Sequence, residues 1–244
     1  MSDSRGVAMG GTWAGVRERV LALRKAPRWW AVFGADFPDH GHNFELLPVL
    51  TEEQLGAVER RLGTELPEEY RTFLLEVGAG GAGPFYGLFP MKPPGPDTPP
   101  ATGHCALPFR PELSAELDEH MYAEPRRADY PDGDTFDDTF AAIYAAWDAR
   151  HDELLDSVTE GTLCISHQGC AYYSLLVVTG PLSGTIWDDI RALGEGVAPA
   201  ELRGGTGHVS FAEWYLDWLD RAERRAWDET TEPPPRLKFA SGQS

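Results

Sequence analysis

Cys164-x-x-His167-x-x-Cys170 places two thiols and an imidazole at intervals suited to a tetrahedral metal site, and His104-Cys105 can supply the remaining ligands. The local pattern argues otherwise. Cys164 falls inside an apolar strand and Cys170 follows a turn glycine, positions where cysteine behaves as a small hydrophobe, so no metal is expected. Asp132-Gly-Asp134-Thr-Phe-Asp137-Asp138 gathers carboxylates, but it lacks the order of a calcium loop and its terminal bidentate glutamate; these acids read as helix-capping groups. The run Gly78-Ala-Gly80-Gly81-Ala-Gly83 formally matches a dinucleotide fingerprint. That fingerprint requires a strand before it and a helix after it, whereas here a helix precedes and residues 84–89 read as a strand, so the run is expected to be a flexible turn. There is no Gly-x-Ser-x-Gly elbow and no His-Glu-x-x-His pair, and a Cys170/His167 nucleophile has no support in spacing alone. Pairs of carboxylates carry no weight in a chain with 39 acids. The expectation is a protein without catalytic residues or cofactors.

The elements that would position any site are legible in part. Trp13, Val16, Val20 and Leu23 share one face and predict a helix from about 12 to 26, closed by Pro27. Residues 29–34 are short strand or loop, and 36–50 are a connector. Thr51 with Gln54 forms a capping box ahead of Leu55, Val58 and Leu62, and Gly63 stops that helix. Leu66-Pro67 restarts the chain; Glu68 and Glu69 suit a first turn, and Tyr70, Phe73, Leu74 and Val77 make the apolar stripe of a second helix ended by Gly78. Residues 91–103 hold five prolines and two glycines and form a surface loop. Phe136, Phe140, Ile143 and Trp147 predict a helix over about 135–150. Residues 161–189 read as strand, turn, strand, turn, strand, with the continuous apolar run 175–178 marking a central strand covered on both faces. Ser210 and Glu213 cap a last helix carrying Phe211, Trp214, Tyr215, Trp218 and Leu219.

Composition bounds the function. With 42% hydrophobic residues the 244-residue chain can bury a sizeable core. No apolar run approaches the ~20 residues that span a bilayer, no export signal is visible, and three cysteines at unhelpful spacings suit a reducing cytoplasm. Eighteen arginines against three lysines, with abundant Ala, Gly and Pro, match the codon bias of a GC-rich bacterial genome. Net charge is −18, and residues 112–160 hold fifteen acids against three bases, two-thirds of the excess. A surface of that sign repels nucleic acid and anionic membranes and attracts basic proteins.

Three pieces stand in order along the chain: Leu-Gly-x-x-Leu-Pro-x-x-Tyr-Arg-x-Phe-Leu at 62–74, Gly-Cys-x-x-Tyr-x-Leu-Leu-Val-Val-Thr-Gly with Gly-x-Ile-Trp-Asp-Asp at 169–189, and Ser-Phe-Ala-Glu-Trp-Tyr-Leu-Asp-Trp-Leu at 210–219. Together they resemble the SUKH superfamily, the Smi/Knr-type domain, over about 45–222 with a divergent acidic insert at about 91–160. The resemblance implies an α+β fold with a mainly antiparallel sheet and helices packed around it; outside it, the residues themselves read as an N-terminal helix and connector (1–44) and a polar, Pro-rich disordered tail (228–244). It also implies a non-enzymatic role. Bacterial members are typically immunity proteins that neutralise a toxin, often a nuclease, whereas fungal relatives are scaffolding regulators. The expectation is a cytoplasmic immunity protein whose partner is a cognate protein toxin with a basic surface, with neither nucleic acid nor membrane as partner. The alternative is a regulatory interaction module without a toxin. The residues expected at the interface are Asp132, Asp134, Asp137, Asp138, Asp188 and Asp189 for charge and Trp187 as an aromatic anchor.

Overall fold

The computed structural model describes residues 11–37, 41–96, 98–99, 102–130, 136–202, 205 and 207–228, with Phe136, Asp137 and Asp138 described in backbone only. Helix α1 (Val16–Ala22) is shorter than its apolar stripe, because Gly15 at φ 73 interrupts the chain before it and a 3-10 turn at Leu23–Lys25 follows. Trp13, Val16, Val20 and Leu23 are nonetheless all buried.

Thr51 opens α2 (Glu52–Leu62) with both halves of the capping box in place: the Thr51 hydroxyl accepts from Gln54 N–H, and the Gln54 side chain accepts from Thr51 N–H. Two of the four orphan donors of the first turn are thereby satisfied. Gly63 closes the helix at φ 76, a left-handed position that costs a side chain about 1–2 kcal/mol. Pro67 then caps α3 (Glu68–Glu76), which buries Tyr70, Phe73 and Leu74. The closing helix α6 (Phe211–Trp227) carries the second capping box, Ser210 with Glu213. A carboxylate oxygen of Glu69 accepts from Ala212 N–H at 2.9 Å and ties the start of α6 to α3.

Aromatic rings fill the space between these helices. Phe73 meets Tyr215 at 4.7 Å, Tyr70 meets Phe211 at 4.8 Å, and Trp13 meets Phe73 at 5.1 Å, each edge to face. The buried Tyr215 hydroxyl donates to Ala82 O at 2.8 Å, and the Trp13 indole donates to Glu69 O at 3.0 Å. The N-terminal segment therefore packs into the same core as α2, α3 and α6, and that core does not divide near residue 44.

The sheet is antiparallel throughout, with β1 (Thr162–Gly169), β2 (Tyr172–Val177), β3 (Ile186–Asp189) and β4 (Val197–Pro199) in that order. Alternation along β2 does what the apolar run predicts. Leu176 and the following Val178 enter the helical core, while Leu175 and Val177 enter a second cluster on the other face. That second cluster is roofed by α4 (Leu113–Tyr122) and the end of α5 (Phe136–Ser157), through Leu113, Leu117, Leu154 and Val158.

Two expectations about local structure need correction. Residues 84–89 form no ladder strand, because Phe85 and Gly87 take positive φ (55 and 92) and break the extended path. Only Leu88 bridges, to Gly81 on one side and Ser166 on the other, while Phe89 N–H and Tyr86 N–H donate to β1 carbonyls. The glycine-rich run is correspondingly a packed crossing. Gly81 is bridged to Leu46 and to Leu88, and a Cβ there would stand 2.3 Å from Glu45 O. Second, α4 and β4 went unread in the sequence, and α5 runs seven residues past the expected end at 150.

Beyond the sheet, α4 and α5 continue as a hairpin arm. Trp147 holds it: its indole donates to His120 O at 3.0 Å, His120 Nε2 lies 2.9 Å from Trp147 O, and the His120 and His151 rings stack on the indole at 5.1 and 5.3 Å. The bases of α4 and α5 are thus core elements, and their distal parts are surface.

Candidate functional site

Of the seven residues expected at the interface, the structure describes the side chains of Trp187, Asp188 and Asp189, and two of these are interior. Asp132 and Asp134 lie outside the described residues. Asp137 and Asp138 sit in the first turn of α5, where the helix dipole favours negative charge. Trp187 is only 5% exposed and cannot serve as a surface anchor. It pairs across the sheet with Leu175, meets Phe109 at 5.0 Å and His208 at 5.6 Å, and donates its indole N–H to Thr185 Oγ1 at 3.0 Å. It is the pillar on which the base of the arm rests. Asp189, at 4% exposure, is also interior: Arg191 clasps it with Nε–Oδ1 at 2.9 Å and Nη2–Oδ2 at 2.8 Å. The same guanidinium donates to Leu155 O at 2.7 Å, fastening β3 to the end of α5. Asp188 points to the opposite face, half-buried, with Gln168 Nε2 at 2.5 Å; burial raises its carboxyl above the usual range.

An open cleft of about 390 Å³ collects some of the groups that could do chemistry: His104, Cys105, Cys164, Asp189 and Arg191. Asp189 and Arg191 are already engaged with each other, and Cys105 with the backbone. The Cys105 thiol donates to Thr162 O at 3.3 Å and burial pushes it up. A thiol held protonated at neutral pH is a poor nucleophile. Asp189, the one carboxylate among the described residues lining the cleft, is already engaged by Arg191. Cys164 is exposed, not buried as the strand pattern suggested, and a register shift between Cys164 and Ser166 accompanies that position. Cys170 is exposed in the β1–β2 turn at φ 51, and His167 stacks between Tyr86 and Tyr173. Among the described residues no group of three or more His, Cys, Asp and Glu is placed to hold a metal ion.

What the sequence reading missed is that the acidic stretch folds as a helical hairpin, with α4 as its first half. Between residues 112 and 156 ten described carboxylates are exposed, against two exposed arginines, Arg126 and Arg127. Glu116 and Glu153 flank Arg150, and Asp129 pairs with Arg126. Glu112, Asp118, Glu119, Asp148, Asp152 and Asp156 stand without an ion pair among the described residues. The signal for α4 was present as Leu113 and Leu117 at i, i+4, but a two-residue stripe flanked by acids is too short to read alone.

A model of the SMI1 / KNR4 family (SUKH-1) matches residues 49–188, more than half of the chain. The chain belongs to that family. The match takes in α2, α3, the arm and β1 through most of β3, and leaves α1 and α6 outside although both complete the core. No curated protein and no solved structure matches the chain. No helix among the described residues is long and apolar enough to cross a membrane.

Proposed function

We propose that this chain is a non-catalytic cytoplasmic immunity protein that binds and neutralises a cognate protein toxin, with the α4–α5 arm as the docking element. The observation that carries this reading is the concentration of exposed carboxylates on the arm, in a chain that belongs to the SMI1 / KNR4 family. A toxin that cleaves nucleic acid presents a basic substrate groove. Carboxylates on a helical hairpin can stand where the phosphates would, and a charge-complementary encounter speeds association. Asp132, Asp134, Asp137 and Asp138 adjoin the arm in sequence and would extend its charge; Asp188 is at most peripheral, and Trp187 and Asp189 act through support of the fold.

The test begins with the proteins that co-purify with the full chain from its native host. For the toxin so identified, one variant replaces Asp118, Glu119, Asp148 and Asp152 with their amides, and a second replaces the four aspartates from 132 to 138. The first is expected to slow association about 10- to 100-fold at low salt and to flatten the salt dependence. Unchanged rates in both variants would remove the arm from the interface. Co-purification with housekeeping proteins only, and no protection of cells against a neighbouring toxin gene, would favour the regulatory module instead.

A further inference from the structure

One surface of this acidic chain carries the opposite sign. An open groove of about 810 Å³ runs between the C-terminal half of α6, the segment around 28–33 and the turn at 84–85. Arg28, Arg221, Arg224 and Arg225 line it. Arg28 anchors the groove's end: its N–H donates to Ala226 O at 3.1 Å, and its Nη1 donates to Asp228 O at 3.2 Å. Its guanidinium also lies 5.8 Å from the Trp30 ring, and its Nε is buried without a hydrogen-bond partner among the described residues. Arg221 is paired with Asp217 one turn back on α6. Arg224 and Arg225 are exposed and pair with no carboxylate among the described residues.

A basic last turn is what the helix dipole favours, and by itself would need no ligand. The surroundings are what the dipole does not explain. Trp214, Trp218, Phe33 and Phe85 supply the groove's apolar lining, and Phe33 is 50% exposed. From Phe33 a chain of rings continues over the surface: Tyr86 at 5.2 Å, then Phe37 at 5.3 Å and His167 at 5.6 Å from Tyr86. Phe37 is 48% exposed. Contiguous exposed aromatics next to arginine form the composition of interface hot spots.

The charge pattern also constrains the occupant. Asp188, Glu201 and Asp228 share the groove with the arginines, and the whole chain carries −18. A continuous phosphate backbone would run past those carboxylates and against the net field. One or two discrete carboxylates need engage only Arg224 and Arg225, with which they form charge-assisted hydrogen bonds.

We propose that this groove docks a protein segment that carries one or two carboxylates beside an aromatic or large aliphatic side chain: Arg224 and Arg225 take the carboxylates, and Phe33 with its neighbouring rings takes the apolar group. The proposal concerns a face other than the acidic arm and does not rest on the toxin reading, so either can fail alone.

The experiment is fluorescence anisotropy with the full chain and a fluorescein-labelled peptide that alternates glutamate with tryptophan and leucine. Saturable binding is expected, weakened at least about tenfold in the Arg224→Glu/Arg225→Glu variant and lost when the peptide's glutamates are lysines. Phe33→Ala should weaken it about threefold or more. The milder Arg224→Gln/Arg225→Gln variant, with circular dichroism and thermal unfolding alongside, keeps the result readable if charge reversal perturbs folding. Equal binding by wild type and both arginine variants overturns the proposal. So does preferential binding of a labelled thymidine 20-mer that the same variants abolish, which would make the groove a nucleic-acid site. Concentration-dependent self-association in sedimentation velocity, removed by the arginine variants without any peptide binding, would assign the groove to a second copy and equally overturn it.

Discussion

The helical core and the α4–α5 arm are both rich in aromatic residues, and they use them to different ends. In the core, Trp13, Phe73, Phe211 and Tyr215 are enclosed on every side, and their polar atoms find internal partners. In the arm, Phe140, Tyr144 and Trp147 remain partly open, and Trp147 is clasped by two histidines at the surface. Enclosure makes a ring contribute to global stability through area removed from water and close packing. A half-open ring contributes mainly to local geometry. The difference teaches that this chain separates the part that holds the fold from a part on which exposed carboxylates far outnumber exposed bases.

The strongest way to break that comparison is a pair of truncations. Phe73→Ala should cost about 3–5 kcal/mol in urea unfolding, since a fully buried ring leaves a cavity that its neighbours cannot close. Trp147→Ala should cost less than about 2 kcal/mol globally while amide exchange accelerates along α4 and the first half of α5. Equal losses at the two sites would show the arm to be part of one cooperative unit.

Acid distinguishes the regions next. His42 is buried, its Nδ1 accepts from Phe44 N–H at 3.1 Å, its Nε2 has no hydrogen-bond partner among the described residues, and its ring faces Phe44 and Trp218. Burial lowers its pKa from 6.5 to about 4. The unfolded chain therefore binds the proton first: the stabilisation from neutral His42 is complete above about pH 6.5 and is lost as pH falls toward 4. The loss is on the order of 2–3 kcal/mol. His42→Asn, which keeps an acceptor for Phe44 N–H but does not titrate, should flatten the unfolding free energy between pH 6.5 and 4 relative to wild type. A slope identical to wild type would place the acid sensitivity elsewhere.

Smaller effects sharpen the same boundary. Ser210→Ala removes the cap of the core helix α6 and should cost about 1 kcal/mol. At the sheet's rim the β1–β2 turn holds Cys170 and Ala171 at φ 51 and 63, a left-handed pair usually given to asparagine and glycine. Ala171→Gly should stabilise the protein by about 0.5 kcal/mol, read as a rise in the urea midpoint at constant slope.

Legibility in the sequence followed the range of the interactions involved. The pair α2–α3 and the start of α6 were readable because capping boxes, the stop at Gly63 and the Pro67 restart act within a few residues. The two-sided burial of β2 was readable because an unbroken apolar run admits few other uses. The role of Trp187 was not. An aromatic beside two aspartates looks like a surface anchor until α4 and α5 are known to roof that face, and Asp189 looks free until Arg191 is seen to hold it. Residues 84–89 failed for a related reason: two positive φ angles, one at a phenylalanine, are set by the crossing with Gly81 and β1 and leave no local signature.

The chain's local chemistry by itself determined where α2 and α3 start and stop, where α6 starts, which strand is central, and that negative charge is concentrated between 112 and 160, because caps, periodicity and composition are properties of neighbours in sequence. Only the tertiary structure decided which of those charges face outward, that Trp187 and Asp189 are interior, and that Arg28 joins Arg221, Arg224 and Arg225 along one groove. Those outcomes depend on contacts between segments up to about two hundred residues apart, such as Arg28 N–H on Ala226 O, and no local pattern encodes which distant surface will cover a given face.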